Sequence, residues 1–136
     1  MENTTPTLSY NPLIKRISPE EISRLILTVR KEHVLLSPQI AKLYNMEVRV
    51  LNQTVKRNPK YFPEESFFQL SKDESHDIDL VTPYPSWGGA RRSRPYAFTV
   101  TAIISLHYLL KKHGSDELNF DIVRAFKLKE NRYKIS

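Results

Sequence analysis

The sequence predicts an α+β domain in which short strands pack with four to five helices. Three observations lead there. Helix-start signals recur at Ser18-Pro19, Ser37-Pro38, Ser71 and Thr99, each ahead of residues suited to a helix. Short runs rich in β-branched and aromatic residues, FFQL and PYAFT, lie between those signals, as strands do. Finally, 40% of the 136 residues are hydrophobic, which supports one domain around a single core.

Residues 1–17 show no periodicity and contain Pro6 and Pro12, so a flexible N-terminal arm is expected, followed by one domain over 18–136. Ser18-Pro19-Glu20-Glu21 joins a capping box to a proline at the first helical position. Ile22, Leu25, Ile26 and Val29 continue that helix at 3.6 spacing, yet LILTVR, KE and HVLLS read equally well as two strands joined by a turn. Periodicity leaves both readings open.

Ser37-Pro38 opens a clearer helix with Ile40, Leu43 and Tyr44 on one side and Ala41 beside them, and Asn45 is a left-handed stop. A second helix runs from about Val48 to Arg57 and ends at Asn58-Pro59. Val48, Leu51 and Val55 form its apolar stripe, while Arg49, Asn52, Gln53 and Lys56 repeat at i, i+3, i+4 and i+7 on another side. Two short helices, a tight turn and a small alanine near the crossing make a helix-turn-helix-like pair at about 38–57.

KYFPEESFFQLS reads as an aromatic turn leading into a strand at Phe67–Leu70, its aromatics in the core. Ser71-x-x-Glu74 is a second capping box opening a brief helix, and HDIDLVTPYP reads as loop. PYAFT then forms a strand, with Thr99 capping a helix from about Val100 to Lys112 that buries Ile103, Ile104, Leu106, Leu109 and Leu110. Gly114 suits its C-cap. A last helix, about Glu117 to Glu130, buries Leu118, Ile122, Val123 and Phe126.

The formal net charge is +6, and its placement says more than its size. Residues 49–60 carry Arg49, Lys56, Arg57 and Lys60 with no acid, and residues 91–113 carry Arg91, Arg92, Arg94, Lys111 and Lys112, again with none. The stretch between them holds Glu64, Glu65, Asp73, Glu74, Asp77 and Asp79 against Lys72 alone. Segregated positive charge suits a polyanionic partner, and charge alone reads equally well as a basic surface with no partner. The 48–57 helix also exposes base-reading side chains, since arginine pairs bidentately with guanine and asparagine or glutamine with adenine. In PSWGGARRSRPYAFT, Gly88 and Gly89 let the backbone take positive φ or approach a phosphate closely, beside the cations Arg91, Arg92 and Arg94.

Other classes are disfavoured. The chain has no cysteine, which removes disulfides and thiolate metal sites, and no apolar run of membrane-spanning length. The first residues lack a signal peptide's basic and apolar regions, so a cytoplasmic location is expected. No phosphate-cradling GxGxxG, no HExxH and no carboxylate cluster is visible, so neither catalysis nor a cofactor is expected. His76, Asp77 and Asp79 are loop residues read as solvated rather than metal-binding.

The run IAKLYNMEVRVLNQTVKRNPKYFPEESFFQLSKDE, then SWGGARRSRPYAFT, then IVRAF resembles the phage ORF-six-N domain, related to KilA-N and Bro-N domains. The resemblance extends from about Ile26 to Glu130. It implies a small α+β domain that binds DNA, often joined to a second domain in antirepressor-like proteins, and it favours the strand–turn–strand reading of 26–36. It places Arg49, Asn52, Gln53, Lys56 and Arg57 in the family's most characteristic helix, and Trp87, Gly88, Gly89 and Arg91 in its loop. Two departures stand out: the family commonly continues PYAFT with an acid, a glutamine and a glycine where this chain has Val100-Thr101-Ala102, and it usually has glycine where this chain has Lys31.

Residues and resemblance together lead to the expectation of a phage- or mobile-element-type transcriptional regulator or antirepressor-like factor. Its partner is double-stranded DNA, with a protein partner or a homo-oligomer in addition. The contact residues are Arg49, Asn52, Gln53, Lys56, Arg57, Gly88, Gly89, Arg91, Arg92 and Arg94. The competing expectation is an interaction module that sequesters another regulator without touching DNA.

Overall fold

A computed structural model of the chain describes residues 17–81, 94–110 and 115–134. The expected arm, apart from Ile17, the Trp87–Arg92 loop and the Gly114 cap lie outside these residues. The described elements run α1 (Pro19–Leu25), β1 (Leu27–Val29), β2 (Glu32–Leu36), α2 (Ser37–Leu43), α3 (Val48–Lys56), a 3-10 turn (Pro59–Tyr61), β3 (Phe67–Gln69), α4 (Lys72–Val81), β4 (Tyr96–Phe98), α5 (Val100–Leu110) and α6 (Asp116–Lys134). The α+β class stands, with six α-helices among the described residues where four to five were expected.

Both capping boxes form. The Ser18 hydroxyl accepts from the Glu21 N–H and the Glu21 carboxylate accepts from the Ser18 N–H, and Ser71 and Glu74 do the same at α4. The contested segment resolves into both of its readings. The helix ends at Leu25 and the chain enters a hairpin, Leu27 opposite Val34 and Val29 opposite Glu32. Residues 76–81, read as loop from sequence, instead belong to α4. Half of that stretch is polar, and buried Ile78 packs it into the small core.

The sheet is antiparallel throughout, in the order β1-β2-β4-β3. Side chains alternate across it. Leu35 and its partner Phe98 enter a large core with Ile22, Ile40, Leu51 and Ile103, while Leu36 and its partner Ala97 enter a small one with Val34, Leu70 and Ile78. Both faces are therefore covered, which is why Val34, Leu35 and Leu36 are all fully buried. Phe98 sits where the cores meet the aromatics; Phe67 packs edge-on to it at 4.8 Å and stacks on Tyr96 at 4.8 Å. Helix α6 lies against α1 and α5.

The hairpin turns through Arg30 (φ 54°) and Lys31 (φ 66°), two left-handed residues as a tight hairpin requires, in positions that usually go to Asn-Gly. Arg30 is anchored there. Its guanidinium grips the Glu74 carboxylate through two bonds of 2.8 and 2.9 Å and lies over the Phe68 ring at 4.3 Å. Lys31 is exposed and has only the backbone penalty, roughly 1–2 kcal/mol for a left-handed non-glycine residue. Lys31→Gly is expected to raise stability by about 1 kcal/mol, read as a higher urea midpoint, whereas Arg30→Gly, which loses the anchor, should lower it.

The hydrogen bond from Arg30 holds the Glu74 carboxyl down to about 2. A depressed carboxylate contributes stability that is present above the unfolded value, roughly 4.3, and is lost as pH falls through the folded value. Stability should therefore decline between about pH 4 and pH 2. In Glu74→Gln the decline over that window should be shallower, and an unchanged profile would show the pair to be inert.

Candidate nucleic-acid interface

Helix α2 is fixed at its start by buried polar clasps. The Gln39 carbonyl accepts the Leu36 N–H at 2.9 Å while its amide donates to the Leu25 carbonyl at 3.2 Å, and the Ser37 hydroxyl accepts the Tyr96 N–H at 3.1 Å. At its end, Asn45 takes φ 54°, its N–H reaches the Lys42 carbonyl and the Met46 N–H reaches the Ala41 carbonyl. These two bonds around one left-handed residue satisfy the last carbonyls and turn the chain sharply. Burial raises the Tyr44 phenol above its ordinary value, and Asn119 of α6 donates to its oxygen at 3.4 Å.

Helix α3 follows this turn and docks through Leu51 (0% exposed) and Val55 (3%), with Val48 half-buried. At roughly 100° per residue, Gln53 lies almost opposite this stripe, flanked by Arg49, Lys56 and Arg57. All four are exposed. Arg49 also pairs with the Glu47 carboxylate at 2.9 Å, a surface contact worth little and readily exchanged for another anion. Thr54 bonds back to the Val50 carbonyl, and Asn58 closes the helix by donating to the Thr54 carbonyl.

Asn52 departs from the expected face. It lies at the edge of the buried stripe, half-buried, and its Oδ1 is buried with no hydrogen-bond donor among the described residues. Of the i, i+3, i+4, i+7 grouping it is the member nearest the apolar stripe, roughly 40° from Val48 around the helix. Val50, read neither as core nor as contact, is exposed on the cationic side of the helix; its apolar type gave no signal of that.

The structure thus gathers Arg49, Gln53, Lys56 and Arg57 on one face and sets Asn52 at its border. Arg94 is exposed, and its carbonyl accepts from the Gln69 amide at 3.1 Å, two residues before the Tyr96 N–H that binds Ser37. Gly88, Gly89, Arg91 and Arg92 lie outside the described residues.

Two other constellations have different characters. His107 lies 2.9 Å from the Asp116 carboxylate and 3.4 Å from the Ser115 hydroxyl. Ser115 is buried while the Asp116 side chain is 95% exposed. A working Ser-His-Asp relay has the reverse, a buried acid and an accessible hydroxyl; here the trio clasps α5 to α6. An open cleft of about 600 Å³ lies between the hairpin tip (Lys31, His33), Thr101 of α5 and Lys127 and Glu130 of α6. Its walls carry charges of both signs, and none of its lining comes from α3. Among the described residues no group of three or more His, Asp or Glu is placed to hold a metal ion. No described helix is long and apolar enough to cross a membrane.

The family model described as ORF6N domain matches residues 24–107, more than half of the chain. No curated protein and no solved structure matches it.

Proposed function

We propose, from the premise that this chain belongs to the ORF6N domain family, that it binds double-stranded DNA as a phage- or mobile-element-type regulator, without catalysis. The observation that carries this reading is the exposed face of α3, where Arg49, Gln53, Lys56 and Arg57 stand together opposite buried Leu51 and Val55. The sharp turn at Asn45 and the clasps on α2 hold that face rigidly, so little side-chain or backbone order has to be created on binding. Gln53, at the centre, reads a base edge, and Arg49 reads guanine or a phosphate. Lys56 and Arg57 neutralise phosphates, as Arg91, Arg92 and Arg94 do.

The test is a salt titration of binding to random duplex DNA. Each neutralised phosphate contributes roughly 0.9 log units of affinity per log unit of salt. Three contacts from α3 alone give a slope near −2.7, or roughly a forty-fold loss over a fourfold rise in salt. Changing Arg91, Arg92 and Arg94 together to alanine should flatten the slope on every sequence alike. Binding that is absent at low salt, or indifferent to salt, would overturn the reading in favour of a module that sequesters another regulator.

A further inference from the structure

Helix α5 exposes two large side chains one turn apart, Ile104 (50%) and Tyr108 (56%), on the same side of the helix. The Tyr108 ring rests against Tyr61 of the 3-10 turn, centroids 5.9 Å apart at 51°. Tyr61 is itself half-buried against the large core, and the Lys60 ammonium stands 5.2 Å from its ring. This aromatic step directly follows α3, and its nearest cations in sequence are Lys56, Arg57 and Lys60. Neither the stretch 48–63 nor α5 carries an acid.

We propose that Tyr108, backed by Tyr61 and flanked by Ile104 and Lys60, is a stacking platform for an unpaired base of single-stranded DNA adjoining a duplex. The inference rests on the reading that α3 binds DNA and extends it from paired to unpaired nucleotides. An exposed aromatic ring held by a second ring offers a fixed π face, which every base can use whatever its sequence. The Lys60 ammonium, over the adjoining Tyr61 ring, supplies the counter-charge for the phosphate of the stacked nucleotide. The pairing of an exposed aromatic ring with cations on an acid-free stretch suits a nucleotide, which brings a π face and a phosphate together. Tyr61 supplies support rather than surface, because it is wedged between Lys60 and Tyr108.

The experiment compares, by fluorescence anisotropy, a blunt random duplex, the same duplex with a short single-stranded overhang, and the free single strand. The overhang should tighten binding roughly tenfold or more. Tyr108→Ala should erase that gain while leaving the blunt duplex as it was, and Tyr108→Phe, which keeps the ring, should retain it. No gain from the overhang, a gain that survives Tyr108→Ala, or an equal loss on all three probes overturns the platform. The two proposals fail separately. If no duplex binds but the single strand binds and is lost in Tyr108→Ala, the role of α3 falls and the platform stands; if duplexes bind alike with and without overhang, the converse holds.

Discussion

Leu51→Ala is expected to destabilise the fold by about 2–5 kcal/mol, while Gln53→Ala, two residues away on the same helix, leaves folding intact. Leu51 is completely buried in the large core, so truncation removes its transfer free energy and leaves a cavity between α3 and its neighbours. Gln53 is exposed, and alanine is the better helix former. The loss at Gln53 should appear instead as about 1–3 kcal/mol of affinity on a preferred site, selected from a randomised duplex pool, and much less on random DNA. Chemical denaturation and binding, measured on the same two variants, separate a residue that holds the helix from one that uses it. Asn52→Ala sides with Gln53→Ala in stability: it deletes a buried oxygen that has no donor among the described residues, so folding should be unharmed or slightly improved. Unfolding by Gln53→Ala would mean that the helix docks the other way round; full site preference in that variant would place base reading elsewhere.

Phe98→Ala should cost still more, about 3–5 kcal/mol. Phe98 is fully buried, pairs with both Leu35 and Phe67, and meets the Phe67 ring edge-on. Its loss opens a hole under β4 at the point where the strand hands over to α5. Against the 5–15 kcal/mol that holds a typical domain together, such a change takes a large share, and the melting temperature should fall accordingly. A cost below about 1 kcal/mol would mean that the aromatic cluster collapses into the space.

What sequence made legible here was local chemistry. The capping boxes at Ser18 and Ser71 and the left-handed stop at Asn45 depend on atoms a few residues apart, and each formed where its residues stand. Tertiary contacts set the rest. The extent of α4 depends on Ile78 reaching the small core, a face of the sheet that periodicity does not reveal. Ile104, expected inside, is half exposed because α5 is apolar on nearly every side and its pattern does not say which side meets its neighbours. On α3 the amphipathic pattern was decisive for Leu51, Val55, Arg49, Gln53 and Lys56 and failed at Asn52, where the boundary between faces depends on how closely adjoining elements approach.

The shortness of the outer strands bears on how the molecule behaves when crowded. A cationic domain drawn to a polyanion accumulates along it, and neighbouring copies are then held side by side at high local concentration. Exposed strand edges under such conditions are templates for edge-to-edge pairing and aggregation. In this sheet the two outermost strands, β1 and β3, are three residues each, well below the usual five or six. The β1 hairpin also ends in the charged run Arg30, Lys31 and Glu32, which opposes the approach of a second edge. Under the binding proposed for α3, strand-by-strand fusion of neighbouring occupants is thereby opposed.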